Sequence, residues 1–240
     1  MVKENKFFAL GNFIACTPAI KRMYEKLERR LPTEFTTEYT KQCFLDCPYI
    51  EIVDKVENPI ISSNMINRRT TTPDYQHIFK EVTGEDWTPQ YHTYVDNPEP
   101  VRTDSYAVVI NGLYRHPDGR PGGLKNKKEV DRQTHEMVRD AYTNNLIFIG
   151  SKLDKSENTP WADEVFDECV LGDIRECLSL INGAEMVFTN DTGLAHAAGA
   201  MNKKMLIFWK DSNFLRARNP GEHTKYSQKG EWEKDLLSFV

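Results

Sequence analysis

The sequence predicts an α/β protein whose strands form a parallel sheet with helices on both faces. Short apolar runs alternate along the chain with segments of helical periodicity, and this alternation is typical of βα units in a parallel sheet. Polar or glycine-containing loops follow the apolar runs at residues 11–17, 111–125, 150–158 and 190–193. Because ligands bind beyond the carboxyl ends of the strands in such sheets, these loops are predicted to line the site.

The first half of the chain contains one clear βα unit. Residues 6–10 are predicted to form a strand that Gly11 and Asn12 break, and a helix then runs over residues 17–30 with Pro18 at its favoured first position. Further elements are predicted from apolar spacing: strands at 35–39 and 50–53, and a helix at 75–83 that Gly84 ends.

The second half is predicted to be a regular βα series. Its predicted strands are residues 106–110, 146–149, 186–189 and 204–209, its helices are 126–143, 173–181 and 193–201, its loops are 112–123 and 152–163, and 165–171 is ambiguous. Proline and asparagine punctuate residues 85–104, which predicts a boundary there. The expected domains are therefore residues 1–100 and 101–210, followed by a tail at 211–240.

Composition excludes several classes of function. The chain has 240 residues, 39% of them hydrophobic, and a net charge of −5, which argues against broad nucleic-acid binding. It has no apolar run near the roughly 20 residues that span a bilayer, and we expect no signal peptide. The five cysteines are odd in number and dispersed, as in a reduced cytoplasmic protein. Cys43 and Cys47 could lie on one helical face as metal ligands, but no second pair has ligand spacing, so we expect no metal site. We also expect no tightly bound cofactor.

The most informative segment is residues 186–200. It is predicted to be a buried strand, a polar turn and then a helix rich in alanine and glycine. Asn190, Asp191 and Thr192 are residues favoured at helix N-caps, and Gly193 permits a tight turn. Since the first amides of a helix and its dipole attract anions, the sequence predicts a phosphate held near Thr192.

Three segments, in this order along the chain, resemble motifs of the heptosyltransferase family, glycosyltransferase family nine. They are Gly11-Asn12 with Pro18-Ala19, the run Cys47-Pro48-Tyr49-Ile50-Glu51-Ile52-Val53, and Asp191-Thr192-Gly193-Leu194-Ala195-His196. The last is similar to the family's Asp-(Ser/Thr)-Gly-x-x-His signature.

This resemblance implies the GT-B architecture, in which two Rossmann-like domains face each other across a cleft, here with a reduced N-terminal domain. The C-terminal domain would hold a nucleotide-diphosphate sugar and the N-terminal domain a hydroxyl acceptor. Transfer would invert the anomeric centre without a metal. The implied acceptor is lipopolysaccharide core or another glycan, and a lipid-linked acceptor would bring the protein to a membrane surface. The tail would pack back toward the first domain.

The predicted donor-binding residues combine the resemblance with the loops that follow strands. They are Gly11, Asn111, Lys125, Gly150, Ser151, Asp191, Thr192, Gly193, Leu194 and His196. Simpler interpretations stay open: Asp191 as an N-cap alone, His196 as a packed core side chain, and Lys125 as a solvated lysine. The loss of one stabilising donor in such a site typically costs on the order of 3 kcal/mol in the transition state.

One departure from the family pattern concerns the general base. The family usually has aspartate where this chain has Asn12, and an amide cannot take a proton from an acceptor hydroxyl. Asn12 would then only orient the acceptor, or His77, Asp46 or Asp74 would serve as the base, or the protein would bind without catalysing. We retain Asn12 and His77 as the candidate catalytic residues.

Other classes of function share parts of this pattern. Asp191-Thr192-Gly193 is also the active-site triplet of aspartic proteases, which require two such loops in a β-rich fold. A non-catalytic sugar-nucleotide sensor and a sugar-nucleotide epimerase would use the same scaffold. Donor binding without transfer would identify the sensor, and release of free nucleotide without an acceptor would identify the epimerase.

Overall fold

A computed structural model describes residues 10–56, 61, 73–112, 130–209 and 221–240. The chain divides into two compact units, with the change between Asp96 and Asn97. Over the described residues, no helix combines the length and the apolar character that are needed to cross a bilayer.

The first unit contains a short parallel sheet and three helices in its described part. The elements are α1 (Leu10–Leu27), β1 (Leu31–Thr33), α2 (Glu38–Gln42), β2 (Ile50–Ile52) and α3 (Asp74–Thr83). Strands β1 and β2 pair in parallel, with Leu31 opposite Ile50. Helices α1 and α3 pack on each other, and fully buried Phe13, Phe44 and Phe79 contribute to the core.

Helix α1 corrects the predicted turn and helix start. Gly11 and Asn12 are helical, and Pro18 lies inside the helix rather than at its beginning. A proline inside a helix removes the N–H that would bind the carbonyl four residues earlier, here that of Ile14. The hydroxyl of buried Thr17 donates to this Ile14 carbonyl at 2.7 Å. Thr17 therefore satisfies the group that Pro18 leaves open, and the helix continues.

We expect Thr17→Val to destabilise the protein by about 2 kcal/mol. Thr17 Oγ1 also accepts the Tyr94 N–H at 2.7 Å, so valine would leave a donor and an acceptor without their partner. Chemical denaturation measures the loss, and Thr83→Val, which removes a similar pair of bonds from a part-buried hydroxyl in α3, is the control with a smaller expected loss. Equal losses in the two variants would contradict the role of burial at Thr17.

The other predictions for the first unit have mixed outcomes. The strand predicted at 35–39 is wrong, because helix α2 occupies part of this range and Thr37 caps it by accepting the Thr40 N–H. The strand at 50–53 is confirmed as β2, and the helix at 75–83 is confirmed as α3, which Gly84 ends at a φ of 75°. Residues 6–9 of the predicted first strand lie outside the described residues.

In its described part, the second unit is a six-stranded sheet with helices. Its elements are β3 (Tyr106–Ile110), α4 (Arg132–Ala141), β4 (Asn145–Gly150), α5 (Lys152–Asn158), α6 (Ala162–Val165), β5 (Glu168–Leu171), α7 (Ile174–Gly183), β6 (Met186–Thr189), α8 (Gly193–Ala200), β7 (Met205–Trp209), β8 (Thr224–Gln228) and α9 (Trp232–Leu237). All neighbouring strands are parallel, in the order β5-β4-β3-β6-β7-β8. This is the Rossmann order, and it confirms the predicted α/β class.

The central strands of the second unit were predictable because their residues are buried on both faces, whereas β8, which is mostly half-buried, was not predicted. Every residue of β3 and β6 is buried, which is why these strands are continuous apolar runs in the sequence. Asp173 caps α7 as expected. The loop predicted at 152–163 is wrong, since Ser151 and Asp154 form a capping box that begins α5. The ambiguous segment contains β5.

One helix prediction in this unit also changes, and the packing of the tail toward the first domain stays a prediction. The helix predicted at 126–143 begins at Arg132, with Asp131 as its N-cap, and residues 126–129 lie outside the described residues. The tail was expected to pack back toward the first domain. Its described part, residues 221–240, belongs to the second unit, where Trp232 and Leu236 join the core beneath the sheet.

Candidate active site

The candidate site lies where the strand order of the second unit reverses. Strands β3 and β6 are neighbours at the centre of the sheet, and each leads in a different direction to its next strand. Their carboxyl ends bring Asn111 and Gly112 beside Asn190, while Gly150 ends the adjacent strand β4. Ligands of doubly wound sheets bind at this kind of topological switch point. The described starts of three of the four predicted loops, at residues 111–112, 150–151 and 190–193, therefore lie at one edge of the sheet.

The side-chain amide of Asn190 joins the two central strands. Its Oδ1 accepts the Gly112 N–H at 3.1 Å, and its Nδ2 donates to the Gly112 carbonyl at 2.9 Å and to Asn111 Oδ1 at 3.2 Å. Asn190 is fully buried. A buried amide that binds both backbone groups of one residue fixes that residue firmly, because losing either bond would leave a polar group unsatisfied.

Asn111 continues this network on the other side. Its Oδ1 accepts the Val130 N–H at 3.1 Å, and its Nδ2 donates to the Val130 carbonyl at 3.0 Å and to Thr159 Oγ1 at 3.1 Å. The Asn158 amide in turn donates to the Asn111 carbonyl at 3.2 Å. The two asparagines thus tie the end of β3 to the end of β6, to Val130 and to the turn after α5.

Helix α8 begins against the end of β3. Thr192 is its N-cap, and Thr192 Oγ1 accepts the Ala195 N–H at 3.4 Å. The N–H groups of Gly193 and Leu194 belong to the first turn, where an α-helix offers no carbonyl to bind them. Together with the helix dipole, these donors form an arrangement that can bind a phosphate oxygen.

Asp191 and His196 lie on either side of this helix start. The distance from His196 Nε2 to Asp191 Oδ1 is 3.5 Å, and the histidine side chain is only 9% exposed while that of Asp191 is 23% exposed. The carboxylate therefore orients the imidazole within the first turns of α8. Asp191 precedes the N-cap residue Thr192. The interpretation of Asp191 as the N-cap is therefore wrong.

Gly150 and Ser151 serve the local structure of the neighbouring strand end. Ser151 donates to Asp154 Oδ2 at 2.6 Å and accepts the Asp154 N–H at 3.1 Å. A Cβ on Gly150 would lie 3.3 Å from Asp154 Oδ2, so a side chain there would crowd this cap. Their predicted contact with a donor stays a prediction, and Lys125 lies outside the described residues.

The thiols of Cys47 and Cys177 do not offer a nucleophile near neutral pH. Burial raises the pKa of Cys177, which packs near Gly150, to about 12, and that of Cys47 to about 11. All five cysteines are free. Over the ranges that the structure describes, no group of three histidine, cysteine, aspartate or glutamate side chains could hold a metal ion.

The catalytic candidates lie in the first unit. Gly11 is buried and Asn12 half-buried in the first turn described for α1. His77 lies on α3, where its Nε2 is 3.4 Å from Glu81 Oε2. Asp46 is exposed in the loop after α2, and its backbone N–H donates to buried Asp96. The roles of Asn12, His77 and Asp46 as base or orienting group stay predictions.

Sequence reasoning missed Gly112 as a site residue. A Cβ at Gly112 would lie 2.7 Å from Thr192 Cγ2 and 3.2 Å from Thr192 Cβ. Real Cβ atoms essentially never show the shorter of these distances, so any larger residue at position 112 would force the Thr192 side chain to shift. The available signal was an Asn-Gly pair directly after one apolar strand and an Asn-Asp pair directly after another.

Comparison with known proteins agrees with this geometry. No protein-family model and no curated protein matches the sequence. A family 9 glycosyl transferase from Veillonella parvula is similar with a TM-score of 0.67 and 12% identity, over 96% of this chain and 90% of that one. The chain has the family 9 glycosyltransferase fold.

Two heptosyltransferases from E. coli share this fold. The ADP-heptose lipopolysaccharide heptosyltransferase II gives a TM-score of 0.68 at 10% identity, over 96% of both chains. Heptosyltransferase WaaC with ADP-2-deoxy-2-fluoro heptose gives 0.58 at 12% identity, over 91% of this chain and 90% of WaaC. The similarity spans both units, so the resemblance that the motifs indicated extends to the fold of nearly the whole chain.

Proposed function

We propose that this protein is a glycosyltransferase that moves a sugar from a nucleotide-diphosphate donor to a hydroxyl group of lipopolysaccharide or another glycan. The observation that carries the proposal is the start of α8 at the switch point of a Rossmann-ordered sheet, with Thr192 as its cap. The fold is shared with proteins solved with ADP and with an ADP-heptose analogue, which supports a nucleotide-sugar donor.

The proposed chemistry is inversion by direct displacement. As the bond from the sugar to the diphosphate breaks, negative charge grows on the leaving phosphate oxygens. The first amides of α8 and the Thr192 hydroxyl would stabilise that charge. This stabilisation needs no metal in the chemical step. We place the reaction in the cytoplasm, and a lipid-linked acceptor would require contact with a membrane surface.

Calorimetric titration of the full chain with ADP, GDP, UDP and CDP tests the donor site. We expect one nucleotide to bind with micromolar affinity, and Thr192→Ala to weaken that binding. Asp173→Ala, which removes the N-cap of α7 in the same unit, is the matched control and should leave affinity unchanged. If none of the four nucleotides bound, the proposed donor site would be refuted.

Asn12 supports a second candidate, a protein that binds a sugar nucleotide without transferring the sugar. An amide at this position cannot act as the base, and it lies on helix α1 rather than in a loop. A turnover assay with the matched nucleotide sugar separates the two functions. Release of nucleoside diphosphate that depends on a glycan acceptor indicates a transferase, whereas binding without release indicates a sensor.

A further inference from the structure

We propose that Gly112 and Asn190 are positioning residues for the nucleotide diphosphate: they set the place of Thr192, and through it the first turn of α8. This inference rests on the proposed function and names residues of the same site that do not themselves contact the ligand. It requires a rigid connection between the end of β3 and the cap of α8, and the described contacts provide one.

The first part of the connection is the amide of Asn190. It binds both the N–H and the carbonyl of Gly112, at 3.1 and 2.9 Å, and reaches Asn111 Oδ1 at 3.2 Å. These three hydrogen bonds are buried or partly buried, and together they fix the backbone position of Gly112. Asn190, which directly precedes Asp191, therefore fixes the Gly112 backbone beside Thr192.

The second part is the contact between Gly112 and Thr192. The bare α-carbon of the glycine leaves room for the threonine methyl group, because a Cβ there would lie 2.7 Å from Thr192 Cγ2 but 3.7 Å from Thr192 Oγ1. The methyl group thus faces the glycine, and the hydroxyl faces the first turn of α8, where it accepts the Ala195 N–H. One face of Thr192 is held by β3 while the other offers the polar group.

Asn111 adds stability to the fixed end of this connection. It binds both backbone groups of Val130 and also Thr159 Oγ1, so the end of β3 is attached to three separate segments. A ligand that binds the first turn of α8 therefore meets donors whose positions are set before it arrives. Such preorganisation raises affinity, because less order has to be created on binding.

The test is a rescue experiment on the full chain, with calorimetric affinity for whichever of ADP, GDP, UDP and CDP binds the wild-type protein. Gly112→Ala should weaken binding by roughly tenfold, because the new methyl group displaces Thr192. Thr192→Ser removes Cγ2 and keeps the hydroxyl, so it loses the methyl contact with Gly112 but not the polar group, and it should weaken binding less than Gly112→Ala does. The double variant Gly112→Ala with Thr192→Ser should recover most of the lost affinity.

Two further variants separate positioning from general damage. Gly183→Ala places a Cβ against the Tyr106 hydroxyl at the opposite end of the sheet, and it should lower Tm without changing affinity. Asn190→Asp cannot donate to Gly112 or Asn111, so it should weaken nucleotide binding even if Gly112→Ala fails to fold. Thr192→Ser should not rescue Asn190→Asp, because no methyl collision is involved there.

The outcomes separate the positioning role of Gly112 and Asn190 from the proposed function on which it rests. Binding by wild type that is unchanged in both Gly112→Ala and Asn190→Asp would overturn the positioning role alone. A double variant as weak as Gly112→Ala would overturn the Thr192 contact as its cause. Failure of the wild-type protein to bind any of the four nucleotides would instead overturn the proposed function, and the positioning role with it.

Discussion

Thr192→Val is expected to reduce the rate of sugar transfer by about 10²- to 10³-fold, which is the usual effect of removing one preorganised donor from a charge-stabilising site. Valine has the shape of threonine, so the methyl group that faces Gly112 is retained. Only the hydroxyl is lost. The measurement is steady-state release of nucleoside diphosphate from the cognate nucleotide sugar in the presence of a glycan acceptor.

The same change also removes an N-cap, which costs about 1 kcal/mol of stability. Thr37→Val provides the control, because Thr37 caps α2 by accepting the Thr40 N–H, and its hydroxyl also donates to Thr40 Oγ1 at 2.9 Å. The Thr37 variant should therefore lose at least as much stability, while only Thr192→Val loses activity. A rate within threefold of wild type would show that the Thr192 hydroxyl does not touch the leaving group.

The central strands of the second unit were predictable from sequence because they are buried on both faces. The β3, β4 and β6 segments are apolar almost throughout, and polar residues follow each of them directly. The small-residue helix α8 and its cap were predictable for a related reason: Thr192 caps through a bond only three residues away. These parts of the fold are determined by residues close together in the sequence, so they can be predicted from it.

Two of the errors occur where a residue depends on a partner far along the chain. Pro18 indicated a helix start, but Thr17 lets the helix pass through it, and Tyr94, 77 residues away, holds Thr17 in place. Asn190 was read as a candidate cap, whereas its side chain binds Gly112, 78 residues earlier. No spacing rule in one sequence identifies such pairs.

The capping box at Ser151 is a different case, since its signal was local and was missed. Ser151 and Asp154 stand three residues apart at the end of an apolar run, which is a known start of a helix. The polar character of the following residues concealed the helix, because α5 buries little besides Asn158. Polarity alone is therefore a poor guide to loops at the edge of a sheet.

His135 should make the stability of the second unit depend on pH. It lies in α4 with 1% exposure, its ring meets the Phe166 ring edge-on at 5.4 Å, and its Nδ1 has no hydrogen-bond partner within the described part of the chain. Burial lowers the pKa of His135 from 6.5 to about 4, while Asp131 opposes this weakly. The folded protein thus holds the imidazole in its neutral form.

The direction of the effect follows from proton binding. Between pH 6.5 and about 4 the unfolded chain binds a proton at His135 that the folded chain excludes, so lowering the pH favours unfolding. Protonation of His135 in the unfolded chain has almost no effect on stability above pH 6.5. Near pH 4 it lowers the free energy of unfolding by about 3 kcal/mol. Other groups titrate in the same range, so the comparison needs a variant that removes this histidine alone.

His135→Phe is that variant, because phenylalanine fills nearly the same space and carries no proton. We expect it to be more stable than wild type by about 2 to 3 kcal/mol at pH 4.5, with the difference falling as the pH rises to 7.5, as measured by urea denaturation at each pH. His92→Phe, at an exposed position, controls for the loss of a histidine and should show no such trend. A stability difference between His135→Phe and wild type that stays constant from pH 4.5 to 7.5 would mean that His135 takes up its proton equally in the folded and unfolded states, and that burial does not keep it neutral.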